Sequence, residues 1–288
     1  MNLKISKTSI GIIFVIIAYF SFSLLDTIQK TTVIYHSIFQ ILFLKYFFTL
    51  FLSVSESYRK KNKFFFKTKI LKLQILRSLL SIIESGCFVL SFSYLTLADV
   101  HSIASLTPVI VVVLSAMILR EKVNLSTWIA IFFGFLGVLI IMRPGLSIFD
   151  PKSLIPLVAA FFLSLYQIVT RKVSEYDTSE TSLFYTSVVG IILLSFLMPF
   201  FWYPMQSLSY ILFLGVGLFF SLGIYFQIIA LSYAKASVVQ PFHYTLVLWA
   251  IILGYIFYDD FPDTYTIIGA AIITLSGIYV LKNRGASE

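Results

Sequence analysis

Charge is what this sequence has least of. Of its 288 residues only 12% are Asp, Glu, Lys or Arg, while 59% are hydrophobic; soluble domains average about a quarter charged and half apolar. That deficit excludes an ordinary water-soluble surface. Cysteine is almost absent as well. The single Cys87 rules out a disulfide framework, and no Cys/His cluster has the spacing of a metal site. No His-Glu-x-x-His pair, no Gly-x-Ser-x-Gly elbow, no paired intramembrane Asp and no Walker A run is present. Zinc-hydrolase, serine-hydrolase and ATP-driven pump chemistry therefore have no residues to rest on, and no cofactor is expected.

What the chain has instead is long apolar runs. A helical span needs about 20 mostly apolar residues, and ten such runs follow one another at 10–28, 36–54, 74–94, 99–119, 126–142, 153–170, 181–198, 208–231, 236–257 and 264–281. They are too long and too continuously apolar for barrel strands, which alternate residue by residue. Helices satisfy their own backbone groups in lipid, so the fold class is all-α, a polytopic membrane protein with ten transmembrane helices. The first run is expected to be retained, because "AYFSFSLLDTIQK" offers no small-x-small cleavage site.

The net charge of +8 reads as a topology signal. With the N-terminus inside, one side of the bilayer holds Lys4, Lys7, the run from Arg59 to Lys72, Arg120, Lys122, Arg171, Lys172, Lys235, Lys282 and Arg284. The other holds Lys30, Arg143 and Lys152, while Lys45 and Arg77 fall within spans. The positive-inside rule then places both termini in the cytoplasm. The run "YRKKNKFFFKTKILK", with Phe between its basic residues, suits anionic headgroups better than nucleic acid, and no nucleic-acid partner is expected.

Sliding the chain along itself by about 140 residues brings Ser93 and Tyr94 onto Ser232 and Tyr233, and, after a gap, Ala130, Gly137 and Gly145 onto Ala270, Gly277 and Gly285. Five spans repeated make the second copy enter the membrane upside down. The matched loops agree: "REK" at 120–122 meets "YDD" at 258–260, of opposite charge. The expected architecture is two inverted five-helix repeats, 1–146 and 147–288, joined near "RPGLSIFDPK". Inverted repeats are what many secondary transporters are built from, with the substrate site near the midplane between the halves.

The stretches "DTIQK", "SYLTLADVHSIASLTPVIVVVLSAMILREKV" with "GFLGVLIIMRPG", and "SYAKASVVQPFHYTLVLWAIILGYIFYDDFPD" with "IIGAAIITLSGIYVL" resemble the drug/metabolite transporter superfamily, in its ten-helix EamA-type branch. The second-half stretch is similar to a subgroup that includes riboflavin and S-adenosylmethionine uptake proteins. The resemblance implies a bacterial inner-membrane secondary transporter with a small-molecule substrate, working by alternating access, with proton coupling left open. Exporters of amino acids and related metabolites share the scaffold, so export is the alternative reading. A membrane-embedded enzyme or a pore is a further one. A homodimer is compatible with such a scaffold. Two departures from the subgroup stand out: Lys45 where relatives often carry Arg, and His243 where many carry Glu in "PFEYT".

Polar groups inside the spans are the candidate site, since an ionised side chain at a helix centre costs about 2.5–3.5 kcal/mol on insertion scales. Glu84 in span three and Lys45 in span two lie at similar depth. Two readings stand, a structural one, in which Glu84 is tethered to Lys45 or faces water, and a functional one, a substrate- or proton-binding carboxylate in a central cavity. His243 follows Pro241 in span nine, and Pro108 lies in span four; prolines remove backbone donors, so both spans are expected to be interrupted. Tyr244, Trp249 and Tyr94 are candidates for stacking on a planar ligand, as are Tyr166, Tyr225 and Tyr233. Gln227, with Gln40 and Gln167, is a candidate hydrogen-bonding group. Asp26 and Lys30, four residues apart, are expected to pair on one helix face as an anchor.

Overall fold

A computed structural model of the chain describes residues 6–95, 97–142, 151–258 and 263–284, nearly all of them helical. The first repeat contains α1 (Lys7–Tyr35), α2 (Ile38–Arg59), α3 (Leu71–Tyr94), α4 (Leu97–Ala104), α5 (Thr107–Ile118) and α6 (Leu125–Met142). The second contains α7 (Leu154–Val173), α8 (Ser179–Ser195), a single turn α9 (Met198–Phe201), α10 (Ser207–Tyr233), α11 (Ala236–Val239), a 3-10 turn (Gln240–Tyr244), α12 (Thr245–Tyr258) and α13 (Thr264–Arg284). Among the described residues six segments are long and apolar enough to cross a membrane by themselves, and four shorter apolar helices accompany them. The repeat boundary at 146–147 and the acidic pair Asp259 and Asp260 lie outside the described residues.

Hydroxyl side chains start several helices. Ser6, Ser37 and Thr178 each accept from the backbone N–H three residues on, satisfying a donor that the first helical turn leaves open. Gln206 and Ser209 form a reciprocal capping box at α10. Span four is interrupted: α4 ends at Ala104 and α5 begins at Thr107, with Pro108 in its first turn. Span nine is interrupted too, by the tighter turn that holds Pro241. In both cases the proline withholds an N–H from the ladder.

The packing obeys the repeat. α1 runs along α10, and its counterpart α7 runs along α3; α2 against α10 is matched by α8 against α3; α12 against α1 is matched by α5 against α7. The pairs α2 with α8 and α6 with α13 are their own counterparts. Exchanging the two repeats therefore maps the contact pattern onto itself, and because each repeat crosses five times, the two are inverted. At the α6–α13 crossing Gly137 and Gly269 let the backbones meet: a Cβ at Gly269 would stand 2.6 Å from the Gly137 carbonyl oxygen, a small-residue contact of the kind that joins helices where lipid offers no hydrophobic drive.

Two ends of the bundle can be told apart. The basic end carries Lys60 to Lys72; there the Tyr225 hydroxyl donates to Glu56 at 2.9 Å and Lys60 pairs with Glu180 across α2 and α8. At the opposite end His36 bridges Gln40 (3.2 Å) and Ser209 (2.8 Å), and Gln40 donates to the Tyr203 carbonyl at 3.0 Å. Those contacts stitch the α1–α2 corner to the link before α10.

Candidate functional site

The spacing Tyr19, Phe22, Asp26, Gln29 puts four side chains on one face of α1 over roughly 15 Å of helix axis. That face lines a central cavity of about 90 Å³. Lys45 enters from α2; Glu84, Ser85 and Phe88 from α3; His101 and Ala104 from the end of α4. The second repeat supplies Leu163 and Tyr166 from α7, Phe220, Ile224 and Gln227 from α10, and His243 and Leu246 around the break in span nine. Both interrupted spans thus reach the cavity. Its carboxylates and its ammonium all come from the first repeat.

Lys45 is 2% exposed, and its ammonium donates to Ser85 Oγ at 3.2 Å and lies 4.9 Å from the Phe220 ring centre. It feels the charges of both Glu84 and Asp26 but hydrogen-bonds to Ser85 and not to Glu84, so the tether reading has no direct bond in this conformation. Asp26 corrects the sequence expectation. Its Oδ2 stands 3.6 Å from His101 Nε2, and Lys30 is exposed; the carboxylate turns inward to the cavity, where the His101 ring stands beside it and the Lys45 ammonium shares the wall, whereas Lys30 can reach water on its own.

Among the described residues two polar atoms on this wall have no hydrogen-bond partner, Gln29 Oε1 and His243 Nδ1, while the Tyr19 hydroxyl is directed to Gln227. Buried polar atoms are almost always paired, and an orphan calls for an explanation such as a ligand. The Tyr19 and His243 rings meet edge to face with centres 4.8 Å apart. Behind the wall, Arg77 is fully buried and donates to the Tyr166 hydroxyl at 3.3 Å, to the Ser182 carbonyl and to Thr186. It fixes the Tyr166 ring and joins α3 to α7 and α8.

Of the candidates read from sequence, Glu84, Lys45, His243 and Gln227 come together at the cavity, with Tyr166. Tyr244, Trp249 and Tyr94 lie outside its lining. Tyr244 donates to the Ile131 carbonyl at 3.2 Å, Trp249 packs edge-on against Phe20, and Tyr94 is 55% exposed with the Lys152 ammonium over its ring. Tyr225 and Tyr233 line a separate vestibule of about 680 Å³ at the basic end, with Arg59, Lys60 and Glu180. Phe14 of α1, which also lines the vestibule, stacks on Phe226 of α10 with ring centres 5.7 Å apart. Sequence reasoning missed Tyr19, Gln29 and His101; the i, i+3, i+7, i+10 row on α1 was the signal that could have found the first two.

The comparisons with known proteins agree with this architecture. The EamA-like transporter family model matches twice, over residues 9–143 and 152–282, once per half. The chain belongs to the EamA-like transporter family. It is similar to a riboflavin transporter of Vibrio cholerae, 30% identical over 177 residues that make up 61% of this chain and 59% of that protein. An S-adenosylmethionine uptake transporter of Rickettsia conorii is 26% identical over 99% of this chain and 96% of its own. A pseudopaline exporter of Pseudomonas aeruginosa is 23% identical over 73% of this chain and 75% of its own. A crystal structure superimposes with a TM-score of 0.80 at 14% identity, covering 98% of this chain and 99% of the other, a likeness of fold. This EamA-type protein is a multi-pass membrane transporter.

Proposed function

We propose that the protein is a secondary transporter that carries a small organic metabolite across the bacterial inner membrane by alternating access, with S-adenosylmethionine and riboflavin as the leading candidate substrates. The observation that carries this is the cavity itself: charged and orphaned polar groups converge between two inverted repeats, beside both interrupted spans. At about 90 Å³ the cavity is smaller than the roughly 300 Å³ at which metabolite pockets begin. Substrate entry therefore requires the helices to part, which two repeats exchanging conformations provide. Residues 1–146 and 147–288 are the two moving units. Both termini face the cytoplasm, which makes the basic-end vestibule the inner one.

Purified protein in proteoliposomes, offered labelled S-adenosylmethionine, riboflavin and amino acids from either side, tests this. Saturable uptake or counterflow of one of them supports it, and the preferred direction separates import from the export that a pseudopaline-exporting relative raises as the second reading. Ion currents faster than alternating access permits, or substrate conversion without movement, would overturn it.

A further inference from the structure

The described charges of the cavity do not balance. Asp26 and Glu84 face it as carboxylates and Lys45 as the lone ammonium, leaving one negative charge in excess; Arg77 behind the wall is answered by Asp177, to which it is linked through Gln74. Tyr19, Tyr166, His101 and His243 are the other titratable groups on its wall, and all are neutral at pH 8 in their ordinary forms. The orphaned Gln29 Oε1 adds an acceptor without a donor. Around these acceptors stand Phe22, Phe88 and Phe220, whose ring faces attract cations.

An uncompensated charge in low dielectric is strongly unfavourable. We infer that the cavity selects organic monocations that carry a planar ring: the substrate supplies the missing positive charge to Asp26 and Glu84, donates to Gln29 Oε1, and lays its ring against the aromatic wall. This rests on the transporter reading and deepens it by naming the class of substrate. It separates the two leading candidates, since S-adenosylmethionine carries one net positive charge and riboflavin none.

Three ligands of nearly one shape make the test. S-adenosylhomocysteine has no net charge, S-adenosylmethionine has one positive charge and decarboxylated S-adenosylmethionine has two. Binding to detergent-purified protein is measured at pH 8 by scintillation proximity with tritiated S-adenosylmethionine as tracer, alongside proteoliposome uptake. The wild-type protein is expected to prefer S-adenosylmethionine over S-adenosylhomocysteine by about tenfold or more. Asp26→Asn removes the excess negative charge and is expected to erase or reverse that preference. Glu84→Gln removes the same charge from another helix and serves where Asp26→Asn fails to fold. Equal or tighter binding of the neutral analogue by the wild type, or uptake of riboflavin in preference to the monocation, overturns the inference and leaves the transporter reading standing. Movement of no metabolite of any charge overturns both.

Discussion

Asp26 on α1 and His101 on the half-helix α4 face each other across the cavity wall, with Oδ2 and Nε2 3.6 Å apart. The imidazole is the nearest group that can place a proton beside that carboxylate. A proton taken up by Asp26 or Glu84 supplies the positive charge that a cationic substrate would otherwise bring. Proton and monocation then compete, so monocation binding is expected to weaken as the pH is lowered from 8. Glu84→Gln removes one of the proton-accepting carboxylates and should flatten that dependence on pH. A titration of S-adenosylmethionine affinity against pH for both proteins checks this, and tighter wild-type binding at acid pH would refute it.

Arg77 should be the least replaceable side chain on α3. It is buried, and its guanidinium spreads over the Ser182 carbonyl, Thr186 and the Tyr166 hydroxyl. Arg77→Met strands those acceptors at about 1–3 kcal/mol each, and Arg77→Lys cannot reproduce the fork of donors. Both variants are expected to lose well over half of the monodisperse protein recovered in detergent. Wild-type recovery and melting temperature for Arg77→Lys would show that a point charge suffices.

The α6–α13 crossing gives a test that does not involve the cavity. Gly269→Val places a branched side chain where even a Cβ would meet the Gly137 carbonyl oxygen at 2.6 Å. The helices must separate, and overpacking of this kind costs about 1–3 kcal/mol. A lower melting temperature is expected. Gly86→Ala is the control, because its Cβ would find only a Leu42 methyl group at 3.5 Å; equal melting of both variants would contradict the close crossing.

The large features of this fold were legible because the bilayer dictates them. Span length, alternating direction and the inverted repeat follow from apolar runs, basic loops and an odd number of crossings, and the breaks in spans four and nine from Pro108 and Pro241. Which way each helix turns was not legible. Lipid and protein core are both apolar, so nothing in the composition of α3 or α12 marks one face as inward, and Tyr94 and Trp249 turned out to lie off the cavity. Glu84, Lys45 and Gln227 were readable since polar groups avoid lipid. Asp26 was misjudged by a local rule: the i, i+4 spacing to Lys30 suggested a pair, while burial against His101 decided its direction. His101 itself stayed hidden because the repeat alignment set Ala104, not His101, against His243, whereas both histidines line the cavity.

Lys45 offers the last test, because it counters the two carboxylates without bonding to either as Nζ does to Ser85 Oγ. If the cavity counts charge, Lys45→Met leaves two negative charges and should shift preference from S-adenosylmethionine to its doubly charged decarboxylated form. Adding Glu84→Gln to Lys45→Met returns the cavity to one excess negative charge, carried by Asp26, and monocation preference should return with it. A fixed Glu84–Lys45 tether would also let the double variant recover activity, but it predicts no change of charge preference in Lys45→Met alone. The double-mutant cycle therefore has to be read on selectivity among the three ligands as well as on rate. Loss of binding for all three ligands in Lys45→Met, with restoration by Glu84→Gln and no shift in preference, would favour the tether; a preference that follows the charge count would place Lys45, Glu84 and Asp26 on the substrate.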